Sequence, residues 1–244
     1  MYLAPASGHP GSVESPPNPP APRRLGLFGG SFDPVHRGHL HAARAAREGF
    51  RLDRVILVPA RRPPHKPGRR LVEGRQRLAM LERTLELLGD PSLAVSGLEL
   101  EREGPSYTID TVRQLREAVG EPPDAEVFLI LGSDNLLGLP SWRAVEELLR
   151  AVTPIVIFRR GDDATSIDEL AGALPADLVE ELRAGFLELP PVTVSSTDLR
   201  ARLGDRSQRA AALEELPAGA REVVEREGLY LDPRSAPPQA GERA

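Results

Sequence analysis

Short apolar runs of strand length alternate with amphipathic stretches of helical length along most of the chain. "LGLF" is followed by a helical pattern near residues 38–48, and "RVILVP" by one over 73–88. The alternation continues through "SLAVSGLELE", a helix over 108–119, "EVFLILG", a helix near 144–150 and "TPIVIF". A helix within 167–184, a short strand "FLELP" and two helices near 197–203 and 218–227 complete the pattern. Strands separated by helices build βαβ units, and such units build a parallel sheet covered on both faces. With no internal repeat, the expectation is an α/β chain: a single doubly wound, Rossmann-like domain with a parallel sheet, over residues 23–231. Ligands then belong at the carboxyl ends of the strands, where the strand order reverses. The flanking segments 1–22 and 232–244 are rich in Pro, Ser and Gly with little to bury, and read as disordered tails.

Composition narrows this further. A length of 244 residues suits one large domain or two small ones, and is enough for a real core. There is no cysteine, which removes thiol nucleophiles and zinc-cysteine sites and suits a reducing compartment. No run approaches the ~20 apolar residues of a membrane span, and the start of the chain has no apolar signal-peptide core. The expectation is a cytoplasmic protein with no membrane partner. A net charge of -5 argues against a general nucleic-acid binder, which needs a broad basic face. Any anionic ligand must meet a local positive site. One segment, "RRPPHKPGRRLVEGRQR", collects Arg61, Arg62, Lys66, Arg69, Arg70, Arg75 and Arg77 against Glu73. A solvated basic loop and an anion-binding surface fit it equally well.

"GGSFDPVHRGH", residues 29–39, follows the first strand and opens the first helix. Gly29 and Gly30 put no Cβ between the backbone and a ligand, and the free N–H groups of the helix start point to the same place. His36 and His39 stand three apart at the helix entry, so both imidazoles can face one ligand. Neither has the setting of a nucleophile. The pair suits hydrogen bonding to, and charge stabilisation at, a phosphorus centre during displacement. The plain structural reading, a turn at Asp33-Pro34 and two helix-capping histidines, would suffice for one histidine but not for this whole constellation. His41 lacks such a setting and reads as exposed. A second helix start, "VSSTDLRARL", offers Ser195, Ser196 and Thr197 as caps with Arg200 in the first turn, a second anion site. Standing alone, that segment is better explained as an ordinary capped helix with an exposed arginine.

"GGSFDPVHRGH" resembles the signature of bacterial nicotinate-nucleotide adenylyltransferases, within the nucleotidylyltransferase superfamily. Its His-x-Gly-His core is shared with class I aminoacyl-tRNA synthetases and pantetheine-phosphate adenylyltransferases, so alone it marks only the superfamily. "SSTDLR" is similar to the family's Ser-Ser-Thr-x-Ile-Arg motif, with Leu199 in place of isoleucine. "PARRPPHKP" resembles its Pro-Pro-His-Lys loop, "GPSYTIDT" the segment that receives the nicotinate carboxylate, and "LGSDNLLGLPSW" its ribose-binding Gly-x-Asp with a following tryptophan. The likeness runs over residues 24–230, up to the closing "GLY". It departs at "FRRGDD", where Arg160 replaces an expected proline and no ligand contact is assigned.

The resemblance implies ATP and nicotinate mononucleotide as substrates. His36 and His39 would hold the α-phosphate region, and Arg200 with Ser196 the leaving pyrophosphate. Gly29, Gly30, Ser31, Phe32, Gly132, Asp134, Ser195 and Thr197 would complete the ATP side, with Gly132 and Asp134 at ribose hydroxyls. His65, Lys66, Tyr107 and Thr108 would meet the mononucleotide, and Trp142 would stack on its pyridine ring. Mg2+ would travel on the phosphates, since the sequence shows no dedicated carboxylate cage. Two alternatives stay open: the same chemistry on nicotinamide mononucleotide or another phosphate acceptor, and a nucleotide-binding regulator without activity. The oligomeric state is open as well.

Overall fold

A computed structural model of the chain describes residues 23–62, 71–118, 125–159, 164–190 and 194–231. His65, Lys66, the loop at Arg160 and both terminal segments lie outside the described residues.

Six strands form one sheet: β1 (Arg24–Gly30), β2 (Arg54–Pro59), β3 (Leu93–Val95), β4 (Glu126–Gly132), β5 (Thr153–Arg159) and β6 (Phe186–Leu189). Their order is β3-β2-β1-β4-β5-β6, and every neighbouring pair is parallel. The chain builds outward from β1 to β3, then returns to lay β4 against the other side of β1. The strand order therefore reverses between β1 and β4, where Phe28 stands level with Leu57 on one side and Ile130 on the other.

The alternation along the strands explains how both faces are covered. Leu25, Leu27, Val127, Leu129 and Leu131 face one layer, built from α4 (Thr108–Ala118), α5 (Val145–Ala151) and α6 (Ala176–Ala184). Phe128, Ile130, Ile155 and Ile157 face the other, where α1 (Arg37–Gly49) packs through Ala42, Ala43 and Ala46. Leu57 packs with α2 (Gly74–Leu88) and with α7 (Ser196–Gly204), α8 (Arg209–Glu214) and α9 (Ala218–Arg226), a helical cap around Met80, Leu81, Leu199, Leu203 and Val224.

Three elements differ from the expected pattern. "SLAVSGLELE" is a strand only over Leu93–Val95, and after Gly97 it turns into a short α3 (Leu98–Glu101). The helical periodicity within 167–184 divides into a 3-10 stretch, Ala164–Leu170, and α6. The short helix α8 falls in a stretch with no predicted element. No helix of the described residues is long and apolar enough to cross a membrane.

The cap is held close at one glycine. A Cβ on Gly219 of α9 would overlap the α2 backbone at Arg83 and Thr84, so the two helices approach at a distance only glycine permits. Gly219→Ala should lower stability by about 1–3 kcal/mol in urea unfolding, because the helices must part to admit the methyl group. A loss under about 0.5 kcal/mol would show that the approach is not set by this residue.

Candidate active site

Where the strand order reverses, a cleft of about 590 Å3 opens along the carboxyl ends of β1 and β4. That size suits a nucleotide-sized ligand. Apart from Arg200, every described residue expected at a ligand lines it: Gly29, Gly30, Ser31, Phe32, His36 and His39 from the first motif, and Ser195, Ser196 and Thr197 from the second. Tyr107, Thr108, Gly132, Asp134 and Trp142 complete the wall, and the exposed His41 lies at it too.

The loop between β1 and α1 is built tightly. A Cβ on Gly29 would meet nothing within 4 Å, whereas one on Gly30 would lie 3.0 Å from the Phe32 ring. Gly29 thus leaves the cleft open, whereas a side chain at Gly30 would crowd the Phe32 ring. Phe32 takes a positive φ of 47° and is 1% exposed. Its ring packs into the cap with Val35 and meets His39 edge-on at 4.9 Å between centroids.

His36 is buried and extended (φ -143°, ψ 170°) at the N-cap of α1. Its backbone N–H donates to His39 Nδ1 at 3.2 Å, and the two rings stack with centroids 3.8 Å apart. With Nδ1 occupied as an acceptor, the His39 proton belongs on Nε2, leaving that nitrogen as a donor.

The second motif docks on the first. Ser195 caps α7, its Oγ accepting the Asp198 N–H at 3.1 Å. Ser196 Oγ donates to the Pro34 carbonyl at 3.1 Å. Two anion sites far apart in sequence thus become neighbours in space. Arg200 is set back from the wall: its Nη1 donates to the Asp33 carbonyl at 2.6 Å and its Nη2 to Thr197 Oγ1 at 3.1 Å.

Arg77 corrects an expectation. Grouped by sequence with a basic loop, it is instead 1% exposed. Its Nε donates to the Val72 carbonyl and its Nη1 to the Ser31 carbonyl, each at 2.8 Å. Burial pushes its guanidinium down from the ordinary arginine range, and the Asp33 carboxylate works against that shift.

Ser106 lies at the other end of the cleft. It is buried, and its Oγ accepts the N–H groups of Arg61 at 2.9 Å and Arg62 at 3.4 Å, tying the end of β2 to the start of α4. Glu99, also buried and in the wall, accepts the Thr111 hydroxyl at 2.7 Å. Arg102 bonds the Tyr107 carbonyl and Thr111 Oγ1, each at 3.3 Å. The Arg143 guanidinium lies over the Tyr107 ring, 4.8 Å from its centroid, and 3.8 Å from Asp110. Trp142 is half-buried, packed partly on the core and partly facing the cleft. Asn135 Nδ2 donates to Asp134 Oδ1 at 3.1 Å and to the Gly132 carbonyl at 3.3 Å, which holds the exposed Asp134 carboxylate at the end of β4.

Glu99, Arg143 and Arg77 escaped the motifs. Only Arg77 left a sequence signal, since it falls on the same helical stripe as Met80, Leu81 and Thr84, the buried residues of α2.

A cleft at the reversal point of a parallel sheet, floored by a glycine turn with paired histidines, is the setting of a ligand site in a doubly wound fold, and the matches below make it that of a nucleotidyltransferase. The cytidylyltransferase-like family profile matches residues 27–202. A probable nicotinate-nucleotide adenylyltransferase of Synechococcus sp. (strain JA-3-3Ab) is 40% identical over 222 residues, covering 90% of this chain and 100% of the relative. A probable nicotinate-nucleotide adenylyltransferase of Bordetella petrii is 41% identical over 208 residues, covering 85% and 99%. Among solved structures, the Plasmodium falciparum nicotinic acid mononucleotide adenylyltransferase complexed with NaAD superposes with a TM-score of 0.61 at 17% identity, over 84% of this chain and 96% of that one. The chain belongs to the cytidylyltransferase-like family, and within it to the nicotinate-nucleotide adenylyltransferases.

Removing the Arg77 guanidinium would take a donor from the Val72 and Ser31 carbonyls and leave the buried Asp33 with Arg200 but without its second cation. Arg77→Met should cost about 3–5 kcal/mol in chemical denaturation. A loss below about 1 kcal/mol would exclude Arg77 as the support of this loop.

Proposed function

We propose that the protein transfers the adenylyl group of ATP to nicotinate mononucleotide, forming nicotinate adenine dinucleotide and pyrophosphate in NAD biosynthesis. Family membership supports the reaction. The observation that carries the residue roles is the docking of the α7 start on the β1–α1 loop, because it puts two anion-binding helix starts at one end of a single cleft.

A 5′-phosphate oxygen of the mononucleotide attacks the α-phosphorus of ATP. The bond from that phosphorus to the bridging oxygen of the β-phosphate breaks, and pyrophosphate leaves with the electron pair. No covalent intermediate with the protein is needed, so catalysis rests on alignment and on stabilising charge at the transferring phosphoryl group. The Nε2–H of His39 donates to an α-phosphate oxygen, and His36 joins it there. Rings stacked at 3.8 Å disfavour a charge on both, so the pair offers at most one cation beside a neutral donor. The Ser195, Ser196 and Thr197 helix start and Arg200 take the β- and γ-phosphates. The Gly29, Gly30, Ser31 and Phe32 turn, with Gly132 and Asp134, holds the adenosine.

Tyr107, Thr108 and Trp142 take the pyridine ring and its carboxylate. His65 and Lys66 join them from outside the described residues. Mg2+ carried in by ATP would supply charge neutralisation for the leaving pyrophosphate; among the described residues no cluster of three His, Asp or Glu side chains is set to hold it. Cytoplasmic residence goes with a chain free of cysteine.

His39→Ala should lower kcat about 10²–10³-fold in a pyrophosphate-release assay with the melting temperature little changed. Near-native turnover in that variant would rule His39 out of the chemistry. Run side by side, nicotinate mononucleotide should be used far better than nicotinamide mononucleotide. ATP binding without pyrophosphate release from either would favour a regulator over an enzyme.

A further inference from the structure

Asp33 is 0% exposed, a carboxylate in the middle of the phosphate-binding turn. Buried charges persist only where donors and countercharges surround them. Its Oδ1 accepts the Tyr230 hydroxyl at 2.7 Å, across 197 residues of sequence. Its Oδ2 has no hydrogen-bond partner among the described residues and lies 3.9 Å from Arg200 Nη1. The same Nη1 donates to the Asp33 main-chain carbonyl. Two of the three acceptor oxygens of Asp33, Oδ2 and the main-chain carbonyl, therefore face one guanidinium. Burial, reinforced by the Asp33 charge, pushes the Tyr230 hydroxyl well above the ordinary tyrosine range, so it keeps its proton and serves only as a donor to Asp33.

We propose that Asp33 and Tyr230 are positioning residues for the triphosphate end of the cleft: the Tyr230 hydroxyl fixes the Asp33 carboxylate, and Asp33 fixes the Arg200 guanidinium. This rests on the reading that Arg200 meets the β- and γ-phosphates. Arg200 is a long side chain whose head could take many rotamers, and each would otherwise cost entropy to arrest on binding. Holding it beforehand at the Asp33 main-chain carbonyl, with the carboxylate 3.9 Å away, sets the direction from which the guanidinium meets the phosphates. The clasp acts on the β- and γ-phosphates and leaves the adenosine and α-phosphate contacts untouched. It thus makes a distinction that a general weakening of the loop would not make.

The test is calorimetric titration of the full chain with MgATP and, separately, with AMP, in the absence of any acceptor. Tyr230→Phe should weaken ATP binding about tenfold and change AMP binding less than twofold, the size of a lost hydrogen bond to a charged group. Asp33→Asn, which keeps an acceptor for Tyr230 but removes the charge facing Arg200, should show the same selectivity. It also secures the test should the tyrosine variant fold poorly. In an Arg200→Ala background, Tyr230→Phe should cost nothing more, because the clasp would have nothing left to position. ATP affinity within twofold of native, equal loss for ATP and AMP, or an undiminished effect in the Arg200→Ala background would each overturn the proposal. ATP binding is read here without an acceptor. Failure to use nicotinate mononucleotide would therefore count against the reaction assigned above and leave this result standing.

Discussion

A buried carboxylate stands at the point where the first strand gives way to the first helix, and the surrounding structure is arranged to keep it there. Asp33 has no access to solvent, so its charge must be answered by the protein. Arg77 comes from α2, Arg200 from α7 and Tyr230 from just after α9. Each of these groups also holds something else: Arg77 the Ser31 and Val72 carbonyls, Arg200 the Thr197 hydroxyl. The turn that floors the cleft is shaped in this way by residues that do not line it.

The sheet order supplies the rest of the geometry. With β1 in the middle and β4 beside it, the loops after these two strands must part to opposite faces, and the crevice between them needs no further construction. The cap formed by α2 and α7–α9 then closes one end of that crevice and delivers the second helix start to the first. The opposite end is shaped differently, by a buried Glu99–Thr111 bond and by Arg102 across the base of α4. Polar contacts buried at both ends make the cleft stiff where a ligand's charged groups are expected.

The strands and most helices were legible because they obey simple periods: apolar runs at β2 and β4, and a 3.6-residue stripe at α1 and α2. The two phosphate motifs were legible because glycine, histidine and cap residues occur there at a spacing with few other uses. What escaped is equally instructive. The α3 segment continues the apolar character of β3, so only the break at Ser96-Gly97 marks the change. The α8 helix is six residues long, too short for a period to emerge. Arg77 was hidden by its type, since arginine in a basic run reads as surface until its register is compared with Met80 and Leu81. Arg200 was legible as a cation but not as one set behind the wall, because sequence carries no sign of its bond to Asp33. The clasp from Tyr230 joins residues too far apart for local pattern to reveal.

That separation bears on how the protein is made. A ribosome releases the glycine turn and Asp33 early, and the tyrosine that completes their surroundings follows 197 residues later. Until then the turn lacks one of its donors, and α9 is missing from the packing of α2. The central strands can pair as they emerge, but the triphosphate end of the cleft matures last. A truncated or stalled product would therefore carry the histidines and the glycine turn without the finished grip, and the nascent chain has no completed site with which to sequester ATP.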